Sequence, residues 1–201
     1  MASGYGVLSE LRALAAAWDE SFPRRARGGS NALSGFNYQF MVVLLETVQS
    51  WLNAAEDERA APNVFSEMLS DVVQMRGDDG LVVTQAKRRY SRSSVRSALD
   101  ELWTIRQVAS RSLPDVLPKL RFRLLAATGE LDPARRTVAE WEPQDGAVAA
   151  DVADFRGAVE VALLWDPQTQ LLAVLANKLR AVDPLRYVNT WLGALARIPK
   201  Q

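Results

Sequence analysis

The stretch that decides the fold is Asp71–Tyr90, which reads DVVQMRGDDGLVVTQAKRRY. Its centre, Arg76–Gly80, consists of residues typical of a tight turn. Before the turn, Phe65, Leu69, Val73 and Met75 fall on positions of one parity, with smaller or polar residues among their neighbours, which predicts a strand. The run Leu81–Tyr90 predicts a second strand after it. Two strands joined by so short a turn predict an antiparallel hairpin.

Helical periodicity lies on both sides of this hairpin. A helix is predicted from Gly35 to Leu52, and a second helix, capped by Ser93 or Ser94, follows the hairpin. Arg121–Thr128 then predicts a third strand. The order of helix, strand, strand, helix and strand predicts an α/β sheet covered by helices. The buried stripe expected on the first helix consists of Phe36, Phe40, Val43, Leu44, Val48, Trp51 and Leu52.

Further elements are predicted towards both ends of the chain. Leu8–Trp18 has the spacing of an amphipathic helix. In the last third, Ala158–Trp165 fits either a strand or the end of a helix that starts near Ala147, and the pattern leaves both open. Additional helices are expected at Leu171–Leu179 and Tyr187–Leu195.

The length of 201 residues suits one sizeable α/β domain with small additions. We expect a helix and basic connector at residues 1–30, a core at 31–130, and an α/β extension at 131–201 that packs on this core. Because no apolar run approaches the roughly 18 residues of a membrane span, and no signal peptide begins the chain, a cytoplasmic protein is expected.

Composition excludes several kinds of chemistry. The chain has no cysteine, and therefore no disulfide, thiolate metal site or cysteine nucleophile. It has no histidine, which excludes Ser-His-Asp triads and the usual zinc sites. The 24 basic side chains balance 24 acidic ones, so a surface for nucleic acid would have to be a local basic patch. An enzyme of this composition has to work with carboxylates, Lys, Arg, Tyr, Ser and hard cations.

Polar side chains in the hairpin form the candidate site. Side chains alternate along a strand, so Gln85 and Lys87 project to one face, and Glu67 and Asp71 share a face of the preceding strand. Pairing of the strands can bring Asp71 close to Gln85 and Lys87. A carboxylate, an amide oxygen and an ammonium suit magnesium-dependent hydrolysis of a phosphodiester. By spacing alone, the same residues also fit the solvated end of an ordinary strand.

Three short segments carry a resemblance to a known family: Gly28–Gln39 (GGSNALSGFNYQ), Glu67–Val73 (EMLSDVV) and Thr84–Arg89 (TQAKRR). In this order they resemble the double-stranded DNA endonuclease domain of bacterial antiphage effectors. That family belongs to the PD-(D/E)xK, or restriction-endonuclease-like, superfamily and is close to Mrr-like nucleases. The resemblance implies a restriction-endonuclease-like α/β fold, with a central mixed sheet flanked by helices and extra C-terminal helices. The resemblance covers about residues 28–110.

The resemblance assigns a role to each candidate residue. It implies that Asp71 is the acid that binds Mg²⁺ or Mn²⁺, that Gln85 is the second metal ligand, and that Lys87 is the lysine of the motif. Gln39 matches a glutamine that lies near the site in the family, and Glu67 is a possible further acid. The chain departs from the plainest pattern of the superfamily at Gln85, where Asp or Glu is usual.

Basic residues next to the motif are candidate DNA contacts. Arg88, Arg89 and Arg92 follow the strand, with Arg96 one helical turn further on. Arginines at such positions can bind phosphates without reading sequence. A solvated run of charges is the alternative interpretation.

The resulting expectation is a magnesium-dependent endonuclease that cleaves duplex DNA. The alternative is an inactive module of the same fold that binds nucleic acid or assembles with other proteins, and RNA is a further possible substrate. The resemblance also implies a sensor or partner protein, and homo-oligomer formation on activation.

Overall fold

The computed structural model describes residues 33–56, 64–66, 71–76, 80–144 and 146–177, together with the helical positions 13, 14, 16, 17 and 20. No helix within these residues is long and apolar enough to cross a bilayer. Along the chain the elements are α1 (Leu33–Glu56), β1 (Val64–Ser66), β2 (Val72–Arg76), β3 (Gly80–Arg89), α2 (Arg92–Ser112), a 3-10 turn (Pro114–Lys119), β4 (Leu120–Thr128), α3 (Leu131–Ala139), α4 (Ala149–Gly157), β5 (Val159–Leu163) and α5 (Pro167–Asn177).

The strands form one five-stranded mixed sheet in the order β1-β2-β3-β4-β5. The first three strands are antiparallel neighbours, whereas β3, β4 and β5 run parallel. In the β2–β3 hairpin, Val73 pairs with Val83. The predicted α/β class, the mixed sheet flanked by helices and the hairpin are therefore confirmed. Strand β5 comes from the predicted extension and continues the sheet of the predicted core.

Helix α2 connects β3 to β4, because parallel neighbours need a crossover that returns the chain to the same end of the sheet. Its cap is Ser91, not Ser93 or Ser94 as predicted. The Ser91 hydroxyl accepts from the Ser94 amide at 3.1 Å, and the Ser94 hydroxyl accepts from the Ser91 amide at 2.9 Å. This reciprocal pair satisfies amides that the first turn of a helix leaves without partners.

The single strand predicted between Phe65 and Met75 is wrong. Residues Val64–Ser66 and Val72–Arg76 form two strands that pair antiparallel, with Phe65 opposite Val73. Phe65, Val73 and Met75 all lie at odd-numbered positions although the chain reverses direction between Phe65 and Val73. The alternation of apolar and polar residues therefore gave no sign that the strand is interrupted. Asp71 consequently comes directly before β2.

In the last third of the chain, the structure settles the two alternatives that the sequence left open for Ala147–Trp165. Both elements are present: helix α4 ends at Gly157, and β5 begins two residues later. Helix α5 begins at Pro167, earlier than predicted, and α3 was not predicted. The helix expected at Tyr187–Leu195 lies outside the described residues.

Apolar side chains cover both faces of the sheet. On one face, α2, α4 and the end of β4 pack around Phe122 and Phe155, whose rings are 5.2 Å apart. Leu14 of the N-terminal segment is buried in the same cluster, and its described positions are helical as predicted. On the other face, α1 lies against the sheet through Val42 and against α5 through Leu45.

The buried side of α1 differs from the stripe predicted for it. Among its described side chains, Met41, Val42, Leu45 and Val48 are buried. Of the predicted stripe, Val48 is buried, Phe40, Val43, Leu44 and Leu52 are half-buried, and the side chains of Phe36 and Trp51 lie outside the described part. The difference arises because α1 packs against both the sheet and α5, and a single apolar stripe cannot face both of them.

Gly129→Ala is expected to lower the free energy of unfolding by about 1–3 kcal/mol. Gly129 has a φ of +128°, and an added Cβ would lie 2.8 Å from the Tyr90 Cβ. Urea denaturation measures the loss. Gly157→Ala is the control, since no atom lies within 4 Å of its added Cβ. Equal stability of the two variants would contradict the strain assigned to Gly129.

Candidate functional site

The site lies where β3 extends beyond β2. The ladder between the two strands ends with Val72 opposite Thr84, whereas β3 remains paired with β4 as far as Arg89. Continued by one residue, this register places Asp71 opposite Gln85. The Asp71 carboxylate accepts a hydrogen bond from the Ala86 amide at 2.7 Å, which fixes it against β3. The sequence prediction that Asp71 lies beside Gln85 agrees with this geometry.

Gln85 is the most unusual residue of the site. It is 2% exposed, and its side-chain oxygen has no hydrogen-bond partner among the residues that the structure describes. Buried polar atoms are nearly always paired, because an unpaired one loses its interaction with water and gains nothing in return. The Gln85 oxygen is therefore available to a ligand such as a cation or a water molecule.

The Asp71 carboxyl is affected by several neighbours at once. Its pKa is raised from 3.8 to about 6, chiefly by burial and also by the nearby Glu101 carboxylate, although the Lys87 ammonium, the Ala86 amide and the Gln39 side chain all act to lower it. The elevated pKa means that burial outweighs these favourable contacts. A cation bound beside Asp71 would stabilise its charged form.

Gln39 reaches the site from α1. Its amide nitrogen donates to the Ala86 carbonyl at 3.4 Å, a long hydrogen bond, and the same side chain interacts with Asp71. Gln39 therefore contacts both the backbone of β3 and the Asp71 carboxylate. The sequence prediction placed this residue near the site, and the geometry agrees.

Sequence reasoning missed Glu101. This half-buried residue lies on α2 and acts electrostatically on Asp71. It follows the buried Ala98 by three positions and precedes the buried Ile105 by four, so it borders the buried stripe of the helix. An acidic residue at the edge of an apolar stripe was the available signal. Glu67, the other acid predicted for the site, lies outside the described residues.

These groups suit a hard divalent cation. The residues that the structure describes contain no cluster of three or more His, Cys, Asp or Glu side chains that could hold a metal. A cation here would instead use the carboxylates of Asp71 and Glu101, the unpaired amide oxygen of Gln85, and oxygens from water or phosphate. Magnesium commonly takes one or two carboxylates and completes its coordination with water and substrate phosphates. The available donors therefore fit magnesium.

A buried ion pair holds α1 against the sheet two helical turns from Gln39. Arg123 of β4 donates to the Glu46 carboxylate at 2.7 Å and to the Gln74 side-chain oxygen at 3.2 Å. It also donates to the Thr84 hydroxyl at 3.2 Å. Gln74 in turn donates to Glu46. The network connects α1 with three strands and fixes the position from which Gln39 reaches the site.

The arginines predicted to contact DNA are all exposed. Arg88 and Arg89 end β3, and Arg92 and Arg96 lie on the first turns of α2. Within the described residues, Arg92 forms an ion pair with Glu140 at 3.6 Å. The basic group therefore lies on the surface at the end of the strand that carries Lys87.

Fold and site together define an α/β protein with a half-buried acid, an amide oxygen that has no partner among the described residues, and a lysine near one end of a strand. Neither a family model nor a curated protein nor a solved structure matches this chain.

Proposed function

We propose that the protein is a metal-dependent endonuclease that cleaves phosphodiester bonds of duplex DNA. The observation that carries the proposal is the unpaired buried oxygen of Gln85 next to Asp71 and Lys87. A role as metal ligand accounts for an atom that has no hydrogen-bond partner in the described part of the chain. The order of a helix, an antiparallel hairpin, a crossover helix and a parallel strand supports the restriction-endonuclease-like fold as part of the proposal.

Each side chain has a role in this reaction. Asp71 and Gln85 hold Mg²⁺ or Mn²⁺, with Glu101 as a further ligand. When bound, the metal supplies a more acidic water and neutralises charge on the phosphate. Lys87 binds a phosphate oxygen and stabilises negative charge that develops there during the reaction. Gln39 holds Asp71 and the backbone of β3 in place.

The biological setting of the proposal rests on the resemblance. By that resemblance the protein is an effector of bacterial antiphage defence that acts with a sensor or partner protein and assembles into homo-oligomers when activated. The basic group at the end of β3 gives the DNA a surface to bind.

A second candidate is an inactive module that keeps the fold and binds nucleic acid. Gln85 favours it, because an amide carries less charge than the usual carboxylate and binds a cation more weakly. Binding of DNA with a strong dependence on salt, without cleavage at any magnesium or manganese concentration, would support this candidate.

Lys87→Ala is expected to slow cleavage of duplex DNA by at least about 100-fold, because removal of one preorganised charge-stabilising group typically has that effect. A plasmid-nicking assay in Mg²⁺ and in Mn²⁺ measures the rate, with duplex DNA, single strands and RNA tested side by side. Lys119→Ala is the matched control, since Lys119 directly precedes β4, at the end of the sheet opposite Lys87. Undiminished cleavage by Lys87→Ala protein would overturn the proposal.

A further inference from the structure

A groove of about 490 Å³ opens at the carboxyl ends of the parallel strands β3 and β4. One wall is formed by the segment that joins β3 to α2, including Arg89 and Arg92. The other wall is formed by the segment that joins β4 to α3 and by α3 itself, including Glu130, Arg136 and Glu140. Grooves at the carboxyl ends of parallel strands are common positions for ligands in α/β proteins.

The charges of the groove favour an anion. Within the described residues, Arg89 and Arg136 have no ion-pair partner. Arg92 pairs with Glu140 at 3.6 Å, but their side chains are 69% and 62% exposed, and such exposed pairs contribute little. A phosphate can therefore replace Glu140 as the partner of Arg92. Glu130 is exposed and remains accessible to solvent.

Two helices begin at this groove. Helix α2 starts at Arg92, and α3 starts after Glu130, whose side chain forms no capping hydrogen bond. The first amides of α3 thus lack a side-chain acceptor, and the positive end of each helix dipole is at the groove. Gly129 permits the close approach of the two walls, since any Cβ there would lie 2.8 Å from the Tyr90 Cβ. Arginines and helix amino ends are both typical phosphate-binding groups.

The groove lies close to the proposed active site along β3, because Arg89 lines the groove. Arg89 lies two residues beyond Lys87 on β3 and projects to the same face, which corresponds to roughly 7 Å along the strand. We propose that the groove binds phosphodiester groups of the nucleic-acid strand next to the cleaved bond, through Arg89, Arg92 and Arg136. The inference rests on the proposed function and extends it by adding α3, through Arg136, to the DNA-binding surface.

Arg136→Gln tests this inference. Affinity for a short DNA duplex is measured by fluorescence anisotropy at several salt concentrations, without divalent cations, so that cleavage does not interfere. We expect weaker binding by about 3- to 10-fold, and a slope of log affinity against log salt that is smaller by about 1, because one phosphate contact is lost. Thermal melts should match those of the wild type, since Arg136 is exposed.

Arg135→Gln is the matched control. Arg135 is adjacent on α3, pairs with Asp132 at 3.8 Å and does not line the groove. A salt slope for Arg136→Gln equal to that of Arg135→Gln would overturn the inference. Competition with a nucleoside triphosphate provides a second arm. Binding of that nucleotide through Arg136, with an unchanged salt slope for DNA, would also overturn it.

The two proposals fail in different ways. If the wild-type protein never cleaves DNA, but Arg136→Gln reduces the salt dependence of DNA binding, the nuclease proposal is rejected and the proposed role of the groove is supported. If the protein cleaves DNA and needs Lys87 to do so, but Arg136→Gln leaves the salt dependence of DNA binding unchanged, the proposed role of the groove is rejected and the nuclease proposal stands.

Discussion

Asp71→Asn is expected to abolish metal-dependent cleavage and, at the same time, to stabilise the metal-free protein at neutral pH. Cleavage falls because the metal loses one of its charged ligands. Stability rises because the buried charge is removed, while an asparagine oxygen can still accept from the Ala86 amide. A residue that merely supports the fold would not show this opposition, since its loss would lower stability and activity together.

The size and pH dependence of the gain follow from the pKa of Asp71. Burial raises this pKa from 3.8 to about 6, so folding favours the protonated acid. The wild-type protein therefore gains stability from this group as pH falls from about 6 to about 4, and above pH 6 the full penalty of the buried charge applies. The shift corresponds to at most about 3 kcal/mol, and we expect Asp71→Asn to gain about 1–3 kcal/mol at pH 7.5.

Urea denaturation of wild type and Asp71→Asn at pH 7.5 and at pH 5 measures this gain, which should shrink at the lower pH. Asp154→Asn, an exposed substitution on α4, is the control and should change stability little at either pH. Added Mg²⁺ should raise the stability of the wild type and not that of Asp71→Asn. A destabilised Asp71→Asn protein at pH 7.5, or one that retains cleavage, would contradict the role assigned to Asp71.

Arg123→Met is expected to lower the free energy of unfolding by about 3–5 kcal/mol, because it leaves the Glu46 carboxylate buried without its cation. The two side chains are only 9% and 12% exposed, so water cannot replace the lost partner. The double variant Glu46→Gln/Arg123→Met should recover much of the loss, since it leaves no unpaired charge. Urea denaturation of both single variants and the double variant gives the coupling energy.

Two outcomes of this double-mutant cycle would contradict the role assigned to the network of Glu46, Gln74, Thr84 and Arg123. Losses in the double variant equal to the sum of the single losses would show that Glu46 and Arg123 act independently. A loss below about 1 kcal/mol in Arg123→Met would mean that the pair behaves like an exposed one. Either result would show that the network does not hold α1 against the sheet, and therefore does not fix the position of Gln39.

The hairpin and the position of Gln85 and Lys87 could be predicted because both depend on local sequence. A five-residue turn and the alternation of one strand lie within a single window of the chain. The break between β1 and β2 could not be predicted, since apolar residues on either side kept the same parity. The alternation of apolar and polar residues indicates which face of the sheet a side chain occupies, but it does not indicate where the chain reverses direction.

The rest of the site depends on packing between distant segments. Glu46 and Arg123 are 77 residues apart, and no local pattern pairs them. Glu101 belongs to the site only because α2 lies along the face of β3 that carries Gln85, a relation set by the crossover from β3 to β4. Arg136 lies beside Arg92 for a similar reason, because α3 begins where the parallel strand β4 ends.

The most direct test of the proposed metal site is a crystal structure of the protein with Mn²⁺, located by its anomalous scattering. We expect one ion within about 2 Å of an Asp71 carboxylate oxygen and of the Gln85 side-chain oxygen, beside Lys87. Crystals of Asp71→Asn protein, treated in the same way, should contain no ion there. An ion bound elsewhere, or a Gln85 oxygen that points away from the manganese, would contradict the metal-dependent nuclease.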